Sequence, residues 1–110
     1  MLPQGELAQF HNSEQPIHYL AFIELRAGTQ RGNHFHRIKQ EFIYLLSGEV
    51  RLIVEEIESK ARDIVPLQTG DLVFIPTGVA HTLDVVKTGQ AIEFSEARFD
   101  PADIHRYPLS

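Results

Sequence analysis

The sequence predicts an all-β sandwich or barrel. Short apolar runs rich in β-branched and aromatic residues recur along it, with turn residues between them at roughly 8–12-residue spacing. No segment of helical length carries a 3.6-residue apolar period. The chain has 110 residues and no cysteine. Residues 1–110 are therefore read as a single domain, whose core forms by burial alone, without disulfides.

The elements follow in order. Ile17 to Arg26 is the first strand, by its run of Ile, Tyr, Phe and Leu. Gly28 to Asn33 reads as a loop. Glu41 to Leu46 is a second strand closed by Ser47-Gly48, and Glu49 to Ile57 a third, in which Val50, Leu52 and Val54 alternate with polar Arg51 and Glu55. Ser59-Lys60 forms a hairpin tip and Ile64 to Leu67 the return strand. The Glu55-Glu56-x-Glu58 cluster beside Lys60 and Arg62 suits a solvated hairpin. Gln68 to Asp71 is a turn, Leu72 to Ile75 a strand and Pro76-Thr77-Gly78 another turn. Strands at His81 to Val86 and Ala91 to Ala97 flank a Lys87-Thr88-Gly89-Gln90 turn. The first 16 residues are ambiguous between an edge strand and a loop. The tail, Asp100 to Ser110, is expected to lie across the surface.

Composition excludes several function classes. The formal net charge is −5, and no basic stripe is visible, so neither nucleic acid nor anionic lipid is an expected partner. The N-terminus lacks a charged-then-apolar signal pattern, and no apolar run is long enough to span a bilayer. A cytoplasmic location is expected. Without cysteine there is no thiolate ligand and no thiol nucleophile.

The chemistry lies in the histidines, six in all. His34 and His36 stand two apart, a spacing that puts both rings on one face of an extended strand. Glu41 heads an apolar strand, where it would share a face with Ile43 and Leu45. A carboxylate there needs a partner, because burying an unpaired charge is costly, and a metal ion would be one. His81 opens another strand just after a tight turn. Three imidazoles and a carboxylate make a nitrogen–oxygen donor set suited to Zn, Mn, Fe, Ni or Cu. Without a metal, the same imidazoles would serve as acid–base groups.

These residues carry a resemblance to the cupins, small jelly-roll barrels of the double-stranded β-helix kind. Gly28, His34, His36, Glu41 and Gly48 fall on the first cupin motif. Gly70, Pro76, Gly78 and His81 fall on the second. Each of these nine positions agrees by chance about one time in twenty. The final Asn of the second motif is Val85 here, a departure that leaves the donor set intact. The motif core thus spans residues 28–85. The resemblance implies that His34, His36, Glu41 and His81 hold one divalent metal inside a barrel. It also implies a homodimer, with residues up to Arg26 as contributors.

A narrower resemblance lies in Arg31-Gly32-Asn33-His34-Phe35-His36. It is similar to the Arg-Gly-x-His-x-His signature of cupins that act on nucleotide-linked keto sugars, among them the cupin domain of capsule-biosynthesis epimerase/reductases. The segment Ala97 to Pro101 resembles the end of those domains. The activity this implies is isomerisation or epimerisation of a sugar or sugar nucleotide by proton transfer next to a carbonyl. Arg31 would hold a diphosphate, since a guanidinium matches phosphate oxygens bidentately. His18, which alternates with Tyr19, and Tyr44 are further candidates for substrate contact. For Tyr44, as for Phe35 and Phe42, core or dimer packing is the competing reading. His11 and His105 read as ordinary polar residues. Two other functions suit the same donor set: a metal-dependent dioxygenase of a small molecule, and a barrel that binds a small ligand or metal without changing it.

Overall fold

The computed structural model describes residues 16–109. The ambiguous N-terminal stretch, His11 included, lies outside them, apart from Pro16. The elements are β1 (Tyr19–Leu25), β2 (Gln30–Phe35), β3 (Glu41–Glu56), β4 (Arg62–Gln68), β5 (Leu72–Ile75), β6 (Val79–Ser95), a 3-10 turn (Pro101–Asp103) and β7 (His105–Arg106). All strand pairs are antiparallel. Among the described residues no helix is long and apolar enough to cross a membrane.

The long strands β3 and β6 pair along their whole length and organise two sheets. The first half of β3 and the second half of β6 carry β5 and β1 on their outer edges. The second half of β3 and the first half of β6 carry β4 and β2, with β7 added beyond β2. This is an all-β jelly roll. Two strand pairs expected to be separate are therefore continuous. The Ser47-Gly48 and Lys87-to-Gln90 segments do not end strands; they are where β3 and β6 bend together, with the register shifting between Leu45 and Val50. The close crossing requires glycine. A Cβ on Gly48, whose φ is +98°, would lie 2.7 Å from the Lys87 carbonyl oxygen.

Apolar residues of both sheets meet between them. Ile23 and Leu25 of β1 and Ile43 and Leu45 of β3 pack with Val50, Leu52, Leu67, Leu83 and Val85. Burying each such side chain contributes about 1.5–3 kcal/mol. Val85, where the second motif has its asparagine, thus sits in the apolar core.

Two expectations are corrected. Gln30 to Asn33, read as loop for its Gly and Asn, is the start of β2, because pairing with Leu83 and its neighbours overrides the local turn signal. The tail does more than cross the surface. Asp103 and Leu109 are buried, and Asn33 binds the tail twice, its carbonyl accepting from Tyr107 N–H at 2.7 Å and its Oδ1 from Leu109 N–H at 3.0 Å.

Candidate functional site

His34, His36, Glu41 and His81 come together at one end of the space between the sheets. Their ligand atoms all lie within 4.8 Å of one another. His34 comes from β2, His36 from the loop after it, Glu41 from the head of β3 and His81 from β6. Register makes the meeting possible. Between Gly32 and His34 the β2–β6 ladder slips by one residue, which places His34 opposite His81. The extra residue, Asn33, takes a left-handed φ of 57°. Such a bulge re-aims side chains beside a site.

Gly32 allows β6 to approach here. Its φ is +121°, and a Cβ would stand 2.7 Å from the His81 carbonyl oxygen and 3.2 Å from the Thr82 Cα, both backbone atoms. Gly32→Ala should therefore destabilise the fold by about 2–3 kcal/mol, read as a shift in the urea midpoint. An unchanged midpoint would refute the close-approach account.

The imidazoles are held by their outer nitrogens. His36 Nδ1 lies 2.9 Å from the Asp103 carbonyl oxygen, and His81 Nδ1 lies 3.2 Å from that of Val79. A carbonyl only accepts, so each Nδ1 carries the proton and donates it. With Nδ1 committed to a carbonyl, Nε2 is the nitrogen that each ring turns toward the site. Both Nε2 atoms face Glu41 Oε1, at 3.8 Å from His36 and 2.7 Å from His81. The latter contact is short, yet neither Glu41 oxygen has an aligned hydrogen-bond partner among the described residues, and the residue is 1 % exposed. An imidazole nitrogen this close to a carboxylate either shares a proton with it or shares a cation with it. Three imidazoles and a carboxylate converging in this way fit a divalent metal.

The electrostatics follow from burial. Desolvation, reinforced by the positive charge that His81 and His36 would carry, lowers His34 to about 4. Desolvation also lowers His36. Both rings are therefore neutral near pH 7, as ligation requires. Burial works to raise Glu41, but His81, Glu93 and Lys39 outweigh it and hold the carboxyl below its ordinary range.

The site opens into a cavity of about 310 Å³. Besides the four cluster residues, Arg31, Tyr19, Lys39, Glu93 and Phe99 line it. His18 and Tyr44 do not line this cavity. His18 is exposed and its Nδ1 meets the Glu96 carbonyl oxygen at 2.8 Å. Its neighbour Tyr19 points inward instead, by strand alternation. Tyr44 alternates with the buried Ile43 and Leu45, which puts it on the opposite face of β3. His105 lies outside the cavity, stacked on Phe35 with ring centroids 5.0 Å apart.

Three polar residues complete the site without having been singled out from the sequence. Lys39 is buried, and its Nζ lies 3.1 Å from Glu93 Oε1 and 3.5 Å from Glu41 Oε2. Burial opposes its charge, but Glu93 and Glu41 outweigh burial and raise its pKa. Burial, then the Glu41 carboxylate, push Glu93 up. The Ala91-x-Glu93-x-Ser95 alternation on β6 was the available signal for Glu93. The third residue, Asp103, accepts from the backbone N–H groups of Arg37, Ile38 and Lys39 at 2.8, 3.1 and 3.0 Å. No local pattern announces it, since its partners lie more than 60 residues away.

A family profile described as a cupin domain matches residues 21–95. No curated protein matches the sequence significantly. Among solved structures, the capsular polysaccharide assembling protein CapF from Staphylococcus aureus superposes with a TM-score of 0.76 at 20% identity, covering 82% of this chain and 26% of that one. A 3,4-ketoisomerase from Helicobacter canadensis superposes at 0.81 with 13% identity, over 94% of this chain and 81% of that one. The RmlC epimerase of Mycobacterium tuberculosis gives 0.72 at 20% identity, over 84% and 52%. The chain thus spans about a quarter of the CapF chain and half of the RmlC chain. At these identities the likeness is one of fold.

Proposed function

The chain belongs to the cupin domain family, and on that premise we propose that it is a divalent-metal-binding cupin that moves a proton next to a carbonyl of a sugar or sugar nucleotide. One observation carries the metal part: the ligand atoms of three imidazoles and a buried carboxylate all lie within 4.8 Å of one another. His34, His36, Glu41 and His81 would hold the ion. When bound, a divalent ion supplies Lewis acidity toward a carbonyl oxygen, which makes the neighbouring C–H more acidic.

The chain's own groups account for the rest. A cavity of about 310 Å³ is at the small end for ligand pockets. It admits one sugar ring, so any nucleotide would lie at the mouth, within reach of Arg31, whose guanidinium suits a diphosphate. Proton transfer needs a group that holds a proton near neutral pH and faces the ring. Tyr19 lines the cavity and offers its phenolic O–H for it. The structural likeness to a 3,4-ketoisomerase and to an epimerase is consistent with this chemistry.

The test is solvent exchange. Incubated in D2O with dTDP- and UDP-linked 4-keto sugars, the metal-loaded protein should place deuterium on a carbon next to the ketone, seen by NMR. No exchange with any of them would count against the isomerase reading. Iron in the purified protein with dioxygen-dependent turnover would replace it with an oxygenase. Tight binding with no chemical change would replace it with a binding barrel.

Homodimer formation belongs to the same proposal. On the outward face of β1, Leu20 is 70% and Phe22 58% exposed, a patch of the kind that associates in water. Light scattering at micromolar concentration should report a dimer, and Leu20→Glu with Phe22→Glu a monomer. A monomeric wild type would sink this part alone.

A further inference from the structure

The two oxygens of Glu41 have different neighbours. Oε1 faces the imidazoles, 2.7 Å from His81 Nε2. Oε2 is 3.5 Å from Lys39 Nζ. Lys39 is itself enclosed. Its Nζ donates to Glu93 Oε1 at 3.1 Å and stands 4.0 Å from the centre of the Tyr19 ring. The ammonium therefore sits between two carboxylates and an aromatic face, and Lys39 is only 6 % exposed.

Resting on the metal reading above, the geometry points to Lys39 and Glu93 as a positioning pair that limits Glu41 to one-oxygen ligation and sets the charge a divalent ion meets. A free carboxylate can offer both oxygens to a metal, whereas an ammonium at Oε2 competes for the second. Three neutral imidazoles and one carboxylate leave a bound divalent ion with a net charge of about +1. A lysine charge a few ångströms away adds repulsion that low dielectric does not screen. Glu93 offsets it by drawing the ammonium toward itself. The pair bridges two elements, the loop before β3 and strand β6, which pairs with β3 beside Glu41. Stability alone gives little reason for such a pair, because desolvating two charges cancels most of their attraction.

The two partners should act with opposite signs. Lys39→Met removes the competing cation and leaves Glu41 and Glu93 facing each other, a repulsion that a divalent ion relieves. Glu93→Gln leaves the ammonium with Glu41 as its anionic partner among the described residues. Cobalt(II) is the probe, titrated against a competing chelator and followed by its visible absorption. Lys39→Met should tighten cobalt binding about tenfold and alter the visible bands as Oε2 becomes free to ligate. Glu93→Gln should weaken binding about tenfold. Lys39→Arg, which keeps the charge, should stay near wild type. Generic damage would weaken binding in both variants, so shifts in the same direction, or no shift in either, overturn the inference. The near-isosteric Glu93→Gln and the charge-preserving Lys39→Arg keep the test decisive if Lys39→Met fails to fold. A wild-type chain that takes up no cobalt overturns the metal reading and this inference with it, and that failure shows before any variant is made.

Discussion

Replacing His34 and His81 together with alanine should reduce bound divalent metal from about one equivalent per chain to nearly none. The two rings face each other across the β2–β6 ladder, with centroids 4.8 Å apart. Their loss leaves His36 and Glu41, too few donors to complete a tetrahedral site. Because losing even an outer partner of a ligand costs 10–100-fold in affinity, losing two ligands should exceed about 1,000-fold. Elemental analysis of protein purified without an affinity metal column reads this directly. The same measurement identifies the ion: zinc favours the isomerase or binding roles, iron the oxygenase. Chelation gives a second readout. At an ion concentration about a hundred times Kd, the metal stabilises the wild type by about 2.7 kcal/mol, so stripping it should lower Tm by roughly 10–20 °C for a domain of this size. The double variant should not respond to chelator. His18→Ala, exposed and outside the cavity, should keep the wild-type metal. A double variant with full metal content would show that the ion binds elsewhere.

Asp103→Ala should have the next largest effect, although its side chain touches no candidate ligand side chain closely. Its carboxylate accepts three backbone N–H groups from Arg37, Ile38 and Lys39. Those residues form the loop between His36 and Glu41. Truncation leaves these donors, of which the Lys39 N–H is buried, without their acceptor and should cost about 3 kcal/mol. The Asp103 carbonyl also orients His36 Nδ1, and a loosened tail loses that bond too. Metal affinity should fall about 10–100-fold. Lost stability with unchanged affinity would confine Asp103 to folding.

The same carboxylate sets an acid limb. Burial opposes its charge, but the three backbone donors outweigh burial and lower its pKa in the fold below the ordinary 3.8. Its contribution is therefore complete above that ordinary value and is lost as pH falls through the lower folded value. Asp103→Ala should flatten acid unfolding in that window, as followed by circular dichroism. An acid limb as steep as that of the wild type would show that the stabilised carboxylate lies elsewhere.

Local pattern reached the donors of the site because the chemistry of each is local. His34-x-His36 needs only strand alternation, Glu41 is anomalous at the head of an apolar run, and His81 follows a turn whose proline and glycine are recognisable as such. Alternation failed at His18 and Tyr44 for a physical reason. It states which residues share a face but not which face is inside, and β1 turns Tyr19 inward, β3 Ile43. Two continuous strands were read as four because Gly48 and Gly89 look like turn residues. Here they serve instead the close crossing of two bending strands.

By itself the sequence determined the all-β class, the cupin resemblance and the four residues of the candidate site, since these depend on residue type, spacing and period. The tertiary structure decided how that site is finished. It brought Lys39 and Glu93 from separate elements together beside Glu41, and it returned the tail so that Asp103 holds the loop and orients His36. Those contacts join positions more than 50 residues apart. A one-dimensional pattern carries no distance between such positions; only chain closure, bulge register and burial supply it.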